Sequence, residues 1–450
     1  MVDDVSVSAK LHQYEAAVVD FFSKRGGHAL VISDDVTFSS LLRQTLTKQL
    51  GIQGTVFTVV NSLDVMKKTA RMVFSRHKQV VVFIERVMKR QEMGDIFFAI
   101  CDTYPDAKII ALTAEVKRDE LILLHEHGAD NVISKPISMN ALIEKIAFTI
   151  KPQTNFGQKI EIAKKMITQG AYPQALEAGK SILAEKENSS AGFIIVGDAY
   201  RGLKQYDKAQ MAYEMASESA PMYLDPMKRL VLLYEETGDL ESRIRYLNYL
   251  DELSPLNSSR KFQIGEAYLE QGDEALAQEA FEACIRTAAK KSGGTAAELS
   301  EKIAEKYLEI DPELSERYLR DALESKGSGL SLQDIKLFTS LGIALRKQGK
   351  WREAIAEYMQ ALQISRSDAT IYYNIAVAAA EGRDYEQARE ALNKVLVINE
   401  DFANQSAAVA YNMGAIFSKC RDTKLAGVML NTCLSLDPSH KDAQSLLVAI

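Results

Sequence analysis

Along residues 151–450 of this 450-residue chain one spacing recurs, and it restricts the possible folds more than any other feature. A small residue is followed by alanine twelve positions later and by a large apolar residue sixteen positions later. The copies are Gly197–Ala209–Tyr213, Gly265–Ala277–Phe281, Gly342–Ala354–Tyr358, Ala376–Ala388–Leu392 and Gly414–Ala426–Leu430, with a poorer one at Val231, Arg243 and Leu247. Gly197, Val231 and Gly265 lie thirty-four residues apart, as do Gly342 and Ala376. A fixed period of this length means that each repeat is one supersecondary unit, unable to bury its apolar face alone and therefore stacked on its neighbours. Helical periodicity with Gly, Pro or Asp breaks every fifteen to twenty residues makes each unit a pair of helices. The small residues let the paired helices approach, and the large ones fill the space to the next pair.

Irregular copies complete the array. Residues 159–186 read as an opening hairpin, and residues 295–325 as a divergent one that accounts for the seventy-seven residues between Gly265 and Gly342. The expectation is about eight helix pairs closed by a capping helix at 441–450, with bends at Gly293–Gly294 and Gly327–Ser328–Gly329. The signature Phe193, Val196, Gly197, Tyr200, Ala209, Tyr213, Ala216, Pro221, with Pro255 and Pro438 closing two further copies, resembles the tetratricopeptide repeat. That resemblance implies a superhelix whose first helices line a groove for partner peptides. Asn374 and Asn412 share one register position, two before the small-residue marker, where amides can bond a peptide backbone. Lys228 and Arg229 occupy similar positions and are candidates to attract an acidic partner; plain surface amides and a solvated face are the alternatives.

Before residue 151 the pattern changes. Short apolar runs at 28–32, 56–60, 80–84, 108–112 and 131–134 alternate with helix-length amphipathic stretches. Strands alternating with helices predict a five-stranded parallel sheet covered on both faces, a flavodoxin-like α/β domain over 27–150. Residues 1–26 hold an amphipathic helix, with Leu11, Tyr14, Val18 and Phe21 on one stripe, which either docks on that domain or mediates dimerisation. Residues 151–157 form a short linker to the all-α part, 151–450.

In such sheets the functional crevice lies at the carboxyl ends of the strands. Those ends carry Ser33, Asp34 and Asp35 after the first strand, Glu85 after the third, Thr113 after the fourth, and Lys135–Pro136 after the fifth. The ordered set resembles a response-regulator receiver domain over roughly 27–150. The resemblance implies an acidic pair for magnesium, a phospho-accepting aspartate, and a hydroxyl and a lysine for the phosphate oxygens. Aligning strand ends puts Asp34 on one acid of the pair, which makes it the metal candidate, Thr113 on the hydroxyl and Lys135 on the lysine. Two departures count against the chemistry. Ser33 stands where the other acid belongs, and Glu85, one bond longer, stands where the aspartate belongs. Magnesium demands near-ideal octahedral geometry, and phosphoryl transfer depends on positioning, so both changes strike what the reaction needs. Val132 replaces the aromatic residue often used as a switch. Glu85 is therefore expected to pair with Lys135, either as a standing substitute for phosphate charge or as a vestigial polar cluster.

Charge and composition narrow the function. A formal net charge of −7 argues against sequence-independent nucleic-acid binding. No run approaches the eighteen or so apolar residues of a membrane span, and the opening MVDDVSVSAK lacks a basic-then-apolar leader. Cys101, Cys284, Cys420 and Cys433 lie far apart and read as core residues in a reduced compartment. His125 and His127 around Glu126 fit a surface turn better than a metal site. No nucleophile elbow, phosphate loop or metal-spaced cluster is present in the sequence. The expectation is a cytoplasmic, non-enzymatic adaptor in a bacterial two-component pathway, without cofactor, with protein partners and the possibility of a homodimer. The alternatives are a phosphorylation-controlled regulator with a repeat output, and a chaperone or assembly factor.

Overall fold

The computed structural model describes residues 2–89, 91–104, 106–114, 117–151, 155–290, 293–326 and 331–450. Helix α1 (Val2–Val19) precedes five parallel strands: β1 (His28–Ile32), β2 (Phe57–Val60), β3 (Val80–Glu85), β4 (Lys108–Thr113) and β5 (Asn131–Ser134). Their order in the sheet is β2-β1-β3-β4-β5, so the chain reverses direction across the sheet between β1 and β3. That switch point opens a crevice beyond the strand ends. The register sets Ile32 opposite Ile84, Ile84 opposite Ala111 and Thr113 opposite Ser134, which brings the residues after each strand to one edge.

Helices α2 (Val36–Gln44), α3 (Leu63–Arg76), α4 (Gly94–Thr103), α5 (Arg118–Glu126) and α6 (Met139–Ile150) connect the strands. Alternation along β1 separates two cores, as the two-residue period of a strand requires. Ala29 and Val31 join Phe83, Ile110, Leu42 and Ile143 on one face, and Leu30 and Ile32 join Val82, Ile84, Met66 and Phe97 on the other. Helix α1 packs on the first face through Tyr14 and Val18, and Phe21 and Phe22 in the turn just after it join the same core, with Tyr14 against the Phe148 ring at 5.2 Å.

Beyond residue 151 the elements of the described residues are helical: α7 (Asn155–Thr168), α8 (Tyr172–Glu185), α9 (Ser190–Gly202), α10 (Tyr206–Ser219), α11 (Asp225–Thr237), α12 (Leu240–Leu253), α13 (Ser258–Gln271) and α14 (Glu274–Ala289). There follow α15 (Gly293–Tyr307), α16 (Pro312–Lys326), α17 (Ile335–Lys347), α18 (Trp351–Ile364), α19 (Ala369–Glu381), α20 (Tyr385–Ile398), α21 (Ala407–Lys419), α22 (Thr423–Leu436) and α23 (Lys441–Ala449). Gly293 opens α15 instead of standing as a break, and residues 155–157 of the expected linker open α7, while residues 152–154 and the expected break at 327–329 lie outside the described residues.

The recurrent spacing has a direct steric cause. A Cβ added to Gly197, Gly265 or Gly342 would come within 2.4, 2.4 and 2.2 Å of the Tyr213, Phe281 and Tyr358 rings. Each glycine is thus the seat of the aromatic ring sixteen positions on. Trp351 lies the same way against Gly382 and Tyr172 against Gly202, at 2.2 and 2.3 Å from such a Cβ. By contacts the chain divides into two compact units, Met1–Thr287 and Ala288–Ile450. The change of secondary structure near residue 151 is therefore not where compact units separate: the α/β domain and the first helix pairs belong to one unit.

Candidate functional site

The strand-end crevice holds a closed polar cluster. Glu85 ends β3, a strand buried along its whole length, and its side chain is 8% exposed. One carboxylate oxygen lies 2.8 Å from Lys135 Nζ, and the other accepts from Ser33 Oγ at 2.9 Å. Ser33 Oγ in turn accepts from the Asp35 amide at 3.0 Å. Lys135 reaches a second carboxylate, Asp35 Oδ2, at 2.7 Å. Thr113 is buried beside Lys135, whose amide donates to the Thr113 carbonyl at 2.8 Å. Lys135 precedes a cis proline.

Asp35, named at the strand end but given no role there, is the second acid that meets Lys135. Asp34, the expected pocket acid, is exposed, and its Oδ2 accepts from the Lys89 amide at 3.1 Å. Asp35 instead caps α2, accepting from the Thr37 and Phe38 amides at 2.9 and 3.1 Å while it holds Lys135. The signal was an acid immediately before the amphipathic run of α2, the ordinary N-cap pattern. Burial works to raise the Asp35 carboxyl, but Lys135 and the two amides outweigh it and hold it below the usual range. Burial likewise works against charge on Lys135, and the Asp35 and Glu85 carboxylates overcome it, so the ammonium titrates above its ordinary value.

This donor set does not fit magnesium. Two carboxylates converge, but the ammonium of Lys135 stands between them, and the remaining oxygens are bonded to Ser33, Thr37 and Phe38. A small hard cation needs oxygens free to form an octahedron. Asp34, exposed and bonded to a backbone amide, stands apart from that cluster. Among the described residues no group of three or more His, Cys, Asp or Glu is arranged to hold a metal ion.

The groove candidates fare differently from one another. Asn374 is mostly buried, at 8% exposure. Asn412 is exposed and donates to the Tyr373 hydroxyl at 2.9 Å. Arg229 is engaged by Asp198 at 3.0 Å, and Lys228 faces the carboxylates of Asp225 and Glu126. One of these acids, Glu126, is thus supplied by the α/β domain itself. Glu126 was expected in a surface turn, yet its side chain is 2% exposed and paired with Arg260. That partner lies 134 positions away, beyond the reach of local spacing. Among the described residues no helix is long and apolar enough to cross a membrane.

Comparison with known proteins agrees with both halves. Residues 29–147 match the response regulator receiver domain. Residues 342–382 match a TPR repeat family, and residues 260–291 and 369–402 a tetratricopeptide repeat family. Superkiller complex protein 3 of Mus musculus and of Homo sapiens are each 30% identical over 84 residues, 19% of this chain and 5% of theirs. The chain thus spans a small fraction of these relatives. Among solved structures, the C-terminal part of a TPR repeat-containing protein from Cytophaga hutchinsonii is 18% identical, with 64% of this chain and 98% of that chain covered at a TM-score of 0.37. At that score nothing further rests on the likeness.

Proposed function

We propose that this chain, which joins a response regulator receiver domain to tetratricopeptide repeats, is a non-enzymatic signalling adaptor whose receiver works without being phosphorylated. One observation carries the reading: the Glu85 carboxylate, at the strand end where a receiver accepts phosphate, is held by Lys135 at 2.8 Å and Ser33 at 2.9 Å. A glutamate there sets negative charge one bond further into the crevice than an aspartate, against the cation that would otherwise meet a phosphoryl oxygen. The charge and its partner are supplied by the sequence, so the receiver stands in one state. With no phosphoryl step to report, the output passes through protein contacts, for which tetratricopeptide repeats are suited.

The test is incubation of the full chain with acetyl phosphate and magnesium, followed by intact mass. The expected result is no added phosphoryl group. A stoichiometric, magnesium-dependent phosphoryl group that is lost in Glu85→Ala would overturn the reading.

A further inference from the structure

Among the described residues the most thoroughly buried ion pair joins the receiver to the repeats. Glu126, the last residue of α5, and Arg260, in the first turn of α13, are 2% and 6% exposed at their side chains. Arg260 donates one guanidinium nitrogen to Glu126 and another to the Leu250 carbonyl at 3.0 Å. The second Glu126 oxygen accepts from Ser254 Oγ at 2.5 Å and Asn257 Nδ2 at 3.2 Å. Burial works to raise the Glu126 carboxyl, and Arg260 and Ser254 outweigh it, so it titrates below the ordinary range.

The contact follows a stripe of α5. Arg118 Nη2 lies 3.4 Å from Met222 Sδ, Ile122 packs with Leu224, Met227 and Leu250, and Glu126 enters the α12–α13 turn. Positions 118, 122 and 126 are four apart and share one helix face. Other faces of α5 serve the receiver itself: Leu124 fills the sheet core and Glu120 lies 3.6 Å from Arg86. The receiving side is built by the repeats. Asn257 caps α13, accepting from the Arg260 amide at 3.1 Å, and Arg260 is anchored on the Leu250 carbonyl. Both donors are therefore positioned whether or not a carboxylate is present.

We propose that the α12–α13 turn is a carboxylate-recognition site and that its occupant is Glu126 of the chain's own receiver. The receiver is then a tethered ligand of the repeats. A partner helix with an apolar residue four positions before a glutamate competes for the same place. The inference does not depend on whether the strand-end crevice is phosphorylated.

Removing one member of a buried pair leaves the other charged and unsatisfied, so the docked state loses most of its advantage. Hydrogen exchange of the full chain reads this directly. In Glu126→Gln, exchange is expected to rise at least about tenfold both in residues 118–126 and in residues 222–260. Ser254→Ala, which keeps the ion pair and its fold, is expected to raise both segments by a smaller factor. Glu120→Gln, whose partner is Arg86, is expected to leave residues 222–260 unchanged. In Glu126→Ala, an added peptide copying residues 117–128 is expected to restore protection at 254–260, and the same peptide carrying Glu126→Gln is not. Unchanged exchange at 222–260 in both Glu126→Gln and Ser254→Ala, or equal protection by the two peptides, would sink the proposal.

Discussion

Lys135 is the residue on which the strand-end cluster turns, because two carboxylates from different elements meet on its ammonium. Lys135→Met leaves Glu85 buried beside Asp35 without a counter-charge. The expected loss is about 3 kcal/mol, of the order found when one partner of a buried pair is removed. Native-state exchange of the β3 amides measures it, and a change below about 0.5 kcal/mol, the level of an indifferent surface substitution, would contradict the geometry. His28 makes a second prediction. Burial and the neighbouring His77 ring, stacked at 4.2 Å, push its imidazole down to about 4. The unfolded chain binds this proton near pH 6.5 and the folded chain does not until about 4, so stability is full above 6.5 and falls as pH drops through that window. At 1.36 kcal/mol per unit the fall approaches about 3 kcal/mol. Urea titrations at pH 7 and pH 4.5 should show it in the wild type and a much smaller fall in His28→Leu. At this scale Ser33, Glu85, Thr113 and Lys135 were legible, because a strand's end fixes where its next residue lies. The role of Asp35 was not, since strand-end counting names the residue but ignores the helix cap it also provides. Glu126 was hidden because its burial comes from a segment far along the chain.

The repeat spacing encodes a pairing of sizes within each helix hairpin. Glycine faces an aromatic ring in Gly197–Tyr213, Gly265–Phe281 and Gly342–Tyr358 and a leucine in Gly414–Leu430, while Val231 packs in one cluster with Leu247. Gly265→Ala drives a methyl group to 2.4 Å from the Phe281 ring, and overpacking of this kind costs about 1–3 kcal/mol. Phe281→Leu in the same chain should recover most of that loss in thermal unfolding; additive losses would show that the ring and the glycine are not a pair. The turns inside the hairpins share another constraint. Lys204, Gly238, Gly272, Gly349, Arg383 and Arg421 all have positive φ, each seven residues after its repeat marker. Gly272→Ala should therefore lower stability by about 1 kcal/mol, and Lys204→Gly should not. A denaturation series in which Gly272→Ala is neutral would remove the turn from the account. The period was legible because these steric demands repeat. The left-handed turn was not, because lysine and arginine fill it as often as glycine.

Sequence and contacts divide the molecule at different places. The sequence changes character near residue 151, where strands end, but the receiver and the helices through α14 pack as one compact unit that ends at Thr287. Within that unit the outer stripe of α5 meets α11–α13. On the proposed reading, a receiver with Glu85 held by Lys135 and with Glu126 buried against the repeats has its state written into the chain. Hydrogen exchange of the full chain, with and without acetyl phosphate and magnesium, tests that most directly. The same uptake is expected under both conditions around Lys135, along α5 and across residues 254–260. Faster exchange in those segments only when the phosphoryl donor is present would contradict it.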